Sequence, residues 1–457
     1  MKKFVKRFSV SIAVSLVMLL VVACGSPAAP TAPPPAPTPA AGGAAAPAEA
    51  PAETTEGAVI DFWMQRYGGD PARQDRLMED LVSRFYEQTG ITVNVVFNDW
   101  SQALTRYTLA STGGEAPDVA DVFFLQSLVQ MGGGRYGPMQ INDLAAEIGM
   151  DRYFDSIIHE AMVGDDFYGI PWRADTRLLA YNRTMFAEAG VSPPTTWDEL
   201  IEVGQALTVI DSAGNVERAG MAWFTNTARF DQTWMAVLAQ AGGRVFTEDF
   251  SAPAFNSPEG IASLQFMQDL VYTYNISPVA IIDPTFDAPL EFLAGNTAML
   301  VGSNAGLMIN ASANAPHMVD QIGAAVMPSR TGTGPSSIAF AAPIAIFRTT
   351  DNVEASKEWV RFFTSEEVMI EVSLTLNLLN PNRYVMANEA IQNDPWLSVF
   401  AQQFERAQMG DVPIPEWSQI SAWPAGPLPL MATEVMAGLD VEDAISRAVA
   451  EIENILR

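Results

Sequence analysis

Between Tyr168 and Leu207 the chain reads YGIPWRADTRLLAYNRTMFAEAGVSPPTTWDELIEVGQAL, and almost every residue there limits the backbone. Tyr168–Arg173 is a short aromatic-rich segment broken at Pro171. Arg177–Asn182 is an apolar run of the length expected for a buried strand. Thr184 is placed to cap a helix over Met185–Ala189, and Gly190 stands where a left-handed residue ends one. Pro193 and Pro194 then exclude helix until Thr196, where Thr-Trp-Asp-Glu forms a capping box with Thr196 at the N-cap and Glu199 at N3. Two helices are thus punctuated tightly around one strand, with Arg173, Asp175 and Arg177 at its entrance. Charges in such a place are costly to bury and well placed to meet a ligand.

A chain of 457 residues exceeds one ordinary core, so two domains are expected. Its 49% hydrophobic and 17% charged residues are those of a globular protein. The formal net charge is −28, and loss of Lys2, Lys3, Lys6 and Arg7 with a leader would bring it to −32. That balance argues against nucleic acid and anionic membrane surfaces as partners, since both recruit Lys and Arg. The single cysteine, Cys24, removes disulfides, thiol catalysis and Cys-ligated zinc from the globular part.

The position of Cys24 has its own reading. Lys2, Lys3, Lys6 and Arg7 make a positive n-region, and Ser9–Ala23 is an apolar core too short to span a bilayer stably. Val21-Val22-Ala23-Cys24-Gly25 then has the form of a bacterial lipobox. Residues 1–23 are therefore expected to be a lipoprotein signal peptide, with Cys24 the acylated N-terminus of the mature protein. Residues 24–57 are nearly all Ala, Pro, Gly and Thr and cannot bury enough apolar surface to fold. At roughly 3.1 Å per residue in an extended proline-rich chain, they would make a tether several nanometres long.

From Ala58 onward the pattern is α/β. Val59–Met64 reads as a strand, Arg73–Gln88 as a helix ended by Gly90, and Ile91–Phe97 as a second strand. This β-α-β order predicts a parallel sheet with a right-handed crossover. A further strand is expected over Asp118–Leu125, and another over Phe340–Phe347. Ser257 with Pro258 opens a helix, Glu354–Phe363 forms one, and Asp440 caps a last helix over Val441–Leu456.

Signatures of catalysis are sparse. His159 and His317 stand apart from any metal-spaced partner, and neither Gly-x-Ser-x-Gly nor His-Glu-x-x-His occurs. Gly132-Gly133-Gly134-Arg135-Tyr136-Gly137 fits G-x-G-x-x-G, but Pro138 follows and the preceding residues read helical, so a loop is expected there rather than a dinucleotide site. No metal and no cofactor are implied. Aromatic residues with polar neighbours are abundant, at Trp63-Met64-Gln65-Arg66, Trp172-Arg173, Trp223, Phe230-Asp231-Gln232-Thr233-Trp234, and Trp417 to Trp423. A sugar presents apolar C–H faces and a rim of hydroxyls, which flat rings and Asp, Asn, Gln or Arg can satisfy together. Trp197, Trp359 and Trp396 lie in or beside helices and are expected in the core.

Gly169-Ile170-Pro171, Asp175, Tyr181-Asn182 and Pro193-Pro194-Thr195-Thr196-Trp197-Asp198-Glu199-Leu200 together resemble the signature of the family 1 extracellular solute-binding proteins of ATP-driven importers. Gly114-Glu115-Ala116-Pro117-Asp118-Val119 resembles the same family. The resemblance implies an α/β, two-lobed periplasmic-binding-protein-like fold with interleaved lobes and a hinge. Crossings would fall near Asp175, Ala341 and Pro381, giving lobe one as 58–174 plus 342–380 and lobe two as 175–341 plus 381–457. It also implies ligand-facing positions at Trp63, Phe123, Phe124, Asp175, Phe230 and Trp234, and at Trp417 or Trp423. With their neighbours, the expected ligand-binding set is Trp63, Gln65, Arg66, Phe124, Arg173, Asp175, Trp223, Phe230, Asp231, Trp234, Asn304, Trp417 and Trp423. Many sugar binders of the family carry a tryptophan where this chain has Gly302-Ser303-Asn304. Asn304 can hydrogen-bond but cannot stack, which points to a mono- or disaccharide or another polyol rather than a long oligosaccharide.

The function expected is therefore that of a lipid-anchored, extracytoplasmic binding protein, monomeric and without enzymatic activity, that delivers a carbohydrate to the permease of an ABC importer. Two alternatives stand beside it. One is a surface-anchored glycosidase or polysaccharide-processing enzyme, since carboxylate pairs abound. The other is a partner that presents bound ligand to a membrane receptor.

Overall fold

The computed structural model describes residues 55–67, 70–213, 216–225 and 230–457; the expected leader, Cys24 and nearly all of the expected tether lie outside them. The β-α-β start is present. Strand Val59–Gln65 pairs in parallel with Thr92–Asn98, and helix Pro71–Thr89 connects them. Asp70 accepts from the Arg73 N–H at the start of that helix, and Gly90 ends it at φ +72°, a conformation that costs glycine nothing.

Two main sheets carry the fold. The first runs in the order Ala407–Met409, Ser337–Ile346, Val119–Asp121, Val59–Gln65, Thr92–Asn98, with Ile170–Thr176 also paired to Ser337–Ile346. The second runs Ala222–Trp223, Met299–Ser303, Leu178–Asn182, Ile322–Ala325. Only Arg177 separates strand Ile170–Thr176 of the first sheet from Leu178–Asn182 of the second. Ten-residue strand Ser337–Ile346 lies antiparallel to Ile170–Thr176, with Asp175 opposite Phe340 and Ala174 opposite Ala341. A third segment joins them, since Ala174 also bridges Leu379 and donates to its carbonyl at 2.8 Å.

The cores beside these sheets are aromatic. Trp359 on helix Val353–Phe363 meets Phe62 and Phe85 edge-on, at 5.6 and 5.1 Å between ring centres. Trp197 stacks on Phe266 at 4.0 Å and donates to Gln240 at 2.7 Å. Trp396 is also buried, so all three tryptophans expected in the core are there.

Local expectations meet the structure unevenly. Ser257 accepts from Gly260 N–H and Asp440 from Asp443 N–H, as capping requires. Gly190 takes φ +67°. The helix before it is capped by Asn182, which accepts from Met185 N–H at 3.1 Å, and not by Thr184, which sits one residue inside that helix and reaches Gln321 at 3.4 Å. At the second helix Thr196 accepts from Glu199 N–H at 3.1 Å, but the Glu199 carboxylate accepts from Thr195, both N–H and hydroxyl at 2.7 Å. These two bonds hold the Glu199 carboxyl below its ordinary range. The strand expected over Asp118–Leu125 is only Val119–Asp121, because the chain turns at Phe124 (φ +55°) to start helix Leu125–Gly132. That helix ends in the glycine motif, where Gly133, Gly134 and Gly137 all take positive φ. The motif is a helix-terminating turn, with no strand leading into it.

Candidate functional site

Against strands Ile170–Thr176 and Ser337–Ile346 of the first sheet, a cavity of about 910 Å³ opens, at the upper end of the range for small-molecule sites, about 300–1,000 Å³. Its floor is made by Arg173, Ala174 and Asp175 of the first strand with Arg177 just after it, by Phe340 and Ala341 of the second, and by Leu378 and Leu379. Around that floor stand Tyr67, Phe123, Phe124, Asp231, Gln232, Asn304, Asp411, Trp417 and Trp423.

Arg177 anchors the floor. Its Nη1 donates to Asp175 Oδ2 at 2.6 Å and to the Thr176 carbonyl at 3.3 Å, and its Nη2 donates to Gln232 at 2.7 Å. The guanidinium also lies 5.2 Å from the Phe340 ring. A buried guanidinium satisfied in this planar, forked way holds Asp175 and Gln232, both of which line the cavity, in one orientation.

A second charged group lies beneath Tyr67. The Tyr67 hydroxyl donates to the buried Asp121, which also accepts from Trp172 Nε1 at 3.0 Å, and Arg173 stands 4.7 Å from the Tyr67 ring. Burial pushes the Asp121 carboxyl up, with the positive charge of Arg173 opposing the shift, and burial likewise pushes the Tyr67 hydroxyl well above its ordinary value. The floor therefore carries a fixed arrangement of donors and charges, with little freedom to reorganise.

Behind Trp417 lies a third group. Trp417 Nε1 donates to Asp411 Oδ1 at 2.7 Å, and the Asp411 carbonyl meets His159 Nε2 at 3.2 Å. Glu160 accepts from the Ala341 N–H at 2.8 Å on the crossing strand. Burial first, and then the nearby Asp411 charge, push the Glu160 carboxyl well above its ordinary range; the Ala341 N–H and Arg173 oppose this. Burial takes His159 down to about 4, so it is neutral near pH 7. His317 is exposed, and no group of three metal-ligating side chains occurs among the described residues.

Of the residues expected to bind ligand, Phe124, Arg173, Asp175, Asp231, Asn304, Trp417 and Trp423 line the cavity, as does Phe123. Both tryptophans of the late segment face it, not one of them. The others do not line it. Trp223, Phe230 and Trp234 have no exposed surface; the indole N–H of Trp223 meets the Met267 carbonyl at 3.4 Å and that of Trp234 meets Ser263 at 3.0 Å, so core packing claims both rings. Gln65 is fully buried and hydrogen-bonded to the Tyr107 hydroxyl at 3.2 Å. Trp63 packs against that same Tyr107, with Arg106 4.7 Å from its ring. Arg66 lies over Phe97 at 3.5 Å and pairs with Asp75. Tyr67, Gln232, Phe340 and Asp411 also line the cavity without having been expected there, and so does Arg177, which the sequence places at the strand entrance but outside the expected ligand-binding set. A charge at the mouth of an apolar strand was the signal for Arg177; Asp411 and Phe340 had none.

A family model described as bacterial extracellular solute-binding protein matches residues 68–370. The chain belongs to that family. Among curated solute-binding relatives, the arabinooligosaccharide-binding protein of Halalkalibacterium halodurans is 26% identical over 174 residues, 36% of this chain and 35% of that one. The diacetylchitobiose-binding protein DasA of Streptomyces coelicolor is 22% identical over 407 residues, 88% of this chain and 90% of that one. Among solved structures, an ABC transporter solute-binding protein of Thermotoga lettingae bound to α-D-tagatose superposes with a TM-score of 0.72 at 25% identity, covering 88% of this chain and all of that one. The fold is thus the two-lobed fold of the solute-binding proteins. Among the described residues, no helix is long and apolar enough to cross a membrane.

Proposed function

We propose that this solute-binding protein captures a carbohydrate between its two lobes and hands it to the permease of an ABC importer. The observation that carries this reading is the composition of the cavity: rings at Phe124, Trp417 and Trp423 stand around polar groups at Asp175, Asp231, Asn304 and Asp411, over a floor braced by Arg177. Flat rings suit the C–H faces of a sugar, and the carboxylates and amides suit its hydroxyls. The names of the relatives, which bind arabinooligosaccharides and diacetylchitobiose, and the tagatose in the Thermotoga protein support the same ligand class.

The lobes in this reading are 58–174 plus 342–380 and 175–341 plus 381–457. Three segments cross between them in this reading, near Asp175, Ala341 and Pro381. A ligand touching both lobes favours the closed state by its differential affinity, which is how periplasmic binding proteins close about a hinge. The protein turns nothing over. Residues 1–23 are removed, Cys24 carries the lipid anchor on the extracytoplasmic face, and residues 24–57 tether a monomer near its permease, raising local concentration without a new contact.

A thermal-shift screen of the mature chain against sugars, polyols, amino acids and oligopeptides tests the reading, because a ligand that binds only the native state must stabilise it. At a ligand concentration of 100 Kd the expected stabilisation is about 2.7 kcal/mol. Response to an amino acid or peptide alone, or to nothing, defeats the carbohydrate assignment.

A further inference from the structure

Residues 411–418, which carry Trp417, are tied to a distant part of the chain. Ser127 Oγ donates to the Pro415 carbonyl at 2.7 Å and lies 3.1 Å from the Ser418 hydroxyl, and His159 Nε2 meets the Asp411 carbonyl at 3.2 Å. The Asp411 charge also acts on Glu160, the neighbour of His159 on the turn Ile158–Ala161. Gln126 braces that turn, donating to the carbonyls of His159 and Met162 at 3.1 and 2.9 Å. With the lobes divided as above, Ser127, His159 and Glu160 belong to lobe one and residues 411–418 to lobe two, so these contacts span a seam.

Glu160 is the unusual group there. It is 6% exposed, and its Oε2 accepts from the Ala341 N–H at 2.8 Å, while Oε1 has no hydrogen-bond partner among the described residues. Glu160, Asp411, Ala341 and Trp417 border a gap of about 10 Å³, far too small for a sugar ring, and Glu160 does not line the main cavity. A buried carboxylate with one oxygen unsatisfied and another carboxylate nearby is costly, and the neutral acid is not. Few other charges face it. Strand Ile170–Thr176 brings Arg173, which favours the ionised form, and Asp175, which pairs with Arg177. Helix Leu125–Gly132 and strands Met162–Val163 and Ser337–Ile346 also pack on this turn and carry no titratable side chain.

We propose, on the reading that the lobes hinge closed over their ligand, that this seam is a proton latch: closure seats Glu160 as the acid and His159 as the neutral imidazole, so that capture is coupled to proton uptake and weakens at alkaline pH. In the open protein both side chains meet water and titrate at their ordinary 4.5 and 6.5. In the closed protein burial raises Glu160 and takes His159 down to about 4. Above about pH 6.5 closure must therefore protonate Glu160, and affinity falls by up to ten-fold per pH unit until the raised value is reached. Between about 4.5 and 6.5 the proton that Glu160 takes up is matched by the one that His159 releases, and affinity is level.

Calorimetric titration of the mature chain from about pH 5 to 8 tests the latch, using whichever of D-tagatose, maltose and diacetylchitobiose stabilises it most. Repeating the titration near pH 7.5 in two buffers of different ionisation enthalpy counts the protons taken up. The parent should lose at least about five-fold in affinity between pH 6 and 8 and take up more than about half a proton. E160Q mimics the acid and should lose both the alkaline fall and the uptake, so that its affinity relative to the parent grows with pH, a gain that a misfolded variant cannot show. His159→Gln removes the compensating release, and its affinity should already fall several-fold between about pH 5 and 6. A parent profile level from pH 6 to 8, or a fall that survives in E160Q, overturns the latch and leaves the carbohydrate reading standing. Binding of none of the three sugars, with a thermal shift only from a non-sugar, overturns the carbohydrate reading, and the same pH profile with that compound then decides the latch.

Discussion

Helix Asp231–Gln240 and the segment Asp411–Trp423 both set tryptophan near aspartate, and they use it in opposite ways. In the first, Trp234 has no exposed surface, donates to Ser263 at 3.0 Å and meets Phe255 edge-on at 5.3 Å. In the second, Trp417 donates to Asp411 at 2.7 Å while both residues line the cavity, and Trp423 stands on the rim 36% exposed. The partner of the indole N–H separates the two. An indole satisfied by a buried serine is fixed by the core, and one held by a carboxylate that also faces the ligand space is positioned by the site. Local sequence offers aromatic and polar neighbours in both places and so does not distinguish them.

The sharpest way to break this comparison is to truncate one tryptophan from each region. Trp234→Ala removes a fully buried indole and should cost about 3–5 kcal/mol of stability. Trp423→Ala removes a half-exposed ring and should change stability by about 0.5 kcal/mol or less. Its effect should fall on ligand binding, with a loss of roughly ten-fold if stacking supplies about 1.4 kcal/mol. Urea unfolding paired with calorimetry on each variant separates the two. Similar stability losses from both would show that the rim tryptophan is part of the core.

What can be read from sequence follows the same division. Strand and helix positions depend on neighbours a few residues away, so the β-α-β start, the caps at Thr196, Ser257 and Asp440, and the turn at Gly190 are all legible. Asp175 and Arg173 are legible as site residues because charges are rare at the mouth of an apolar strand. Phe340 reaches Asp175 through the pairing of Ser337–Ile346 with Ile170–Thr176, Asp411 follows the strand Ala407–Met409 that pairs with Ser337–Ile346, and Tyr67 packs on Trp172; no local pattern reports contacts between segments so far apart in sequence. Trp223, Phe230 and Trp234 mislead for the complementary reason. Their polar neighbours Asp231 and Gln232 do face the cavity, while the helix turns the rings into the core.

A finer test concerns what stands behind Trp417. Glu160 shares its surroundings with Asp411, His159 and Arg173, and its carboxyl is raised well above the ordinary 4.5, by burial first and by Asp411 second. The native state therefore binds this proton more tightly than the unfolded chain does. Its stabilising contribution is full below the ordinary carboxyl range and is lost as pH climbs from about 4.5 through the raised native value, by at most about 1.4 kcal/mol per pH unit. Glu160→Gln mimics the protonated form and can still accept from Ala341 N–H. The stability of E160Q relative to the parent should therefore rise with pH from about 5 toward 8, read as the difference between their unfolding midpoints. Using the difference cancels His159, whose lowered pKa acts below its ordinary 6.5 in both proteins. A difference that stays flat across this range would mean that the carboxyl behind the cavity is ionised throughout.

The smallest effect is expected where the family signature is strongest. Thr196 accepts from Glu199 N–H at 3.1 Å and starts helix Trp197–Leu207, whose Trp197 stacks on Phe266 well inside the core; neither residue lines the cavity. Thr196→Ala leaves one helix N–H without its cap and should cost about 1 kcal/mol. The Glu199 carboxylate keeps its bonds to Thr195, so the turn before the helix stays in place. Ligand affinity should be unchanged, because no residue of the capped helix lines the cavity while the charged groups stand at the other end of the same stretch, at Arg173, Asp175 and Arg177. A stability loss near 1 kcal/mol with unaltered Kd would separate, within forty residues, the part of the chain that marks its family from the part that holds its ligand. A change in Kd larger than about two-fold would show instead that the helix sets the position of the crossing strand, and that scaffold and site are one element here.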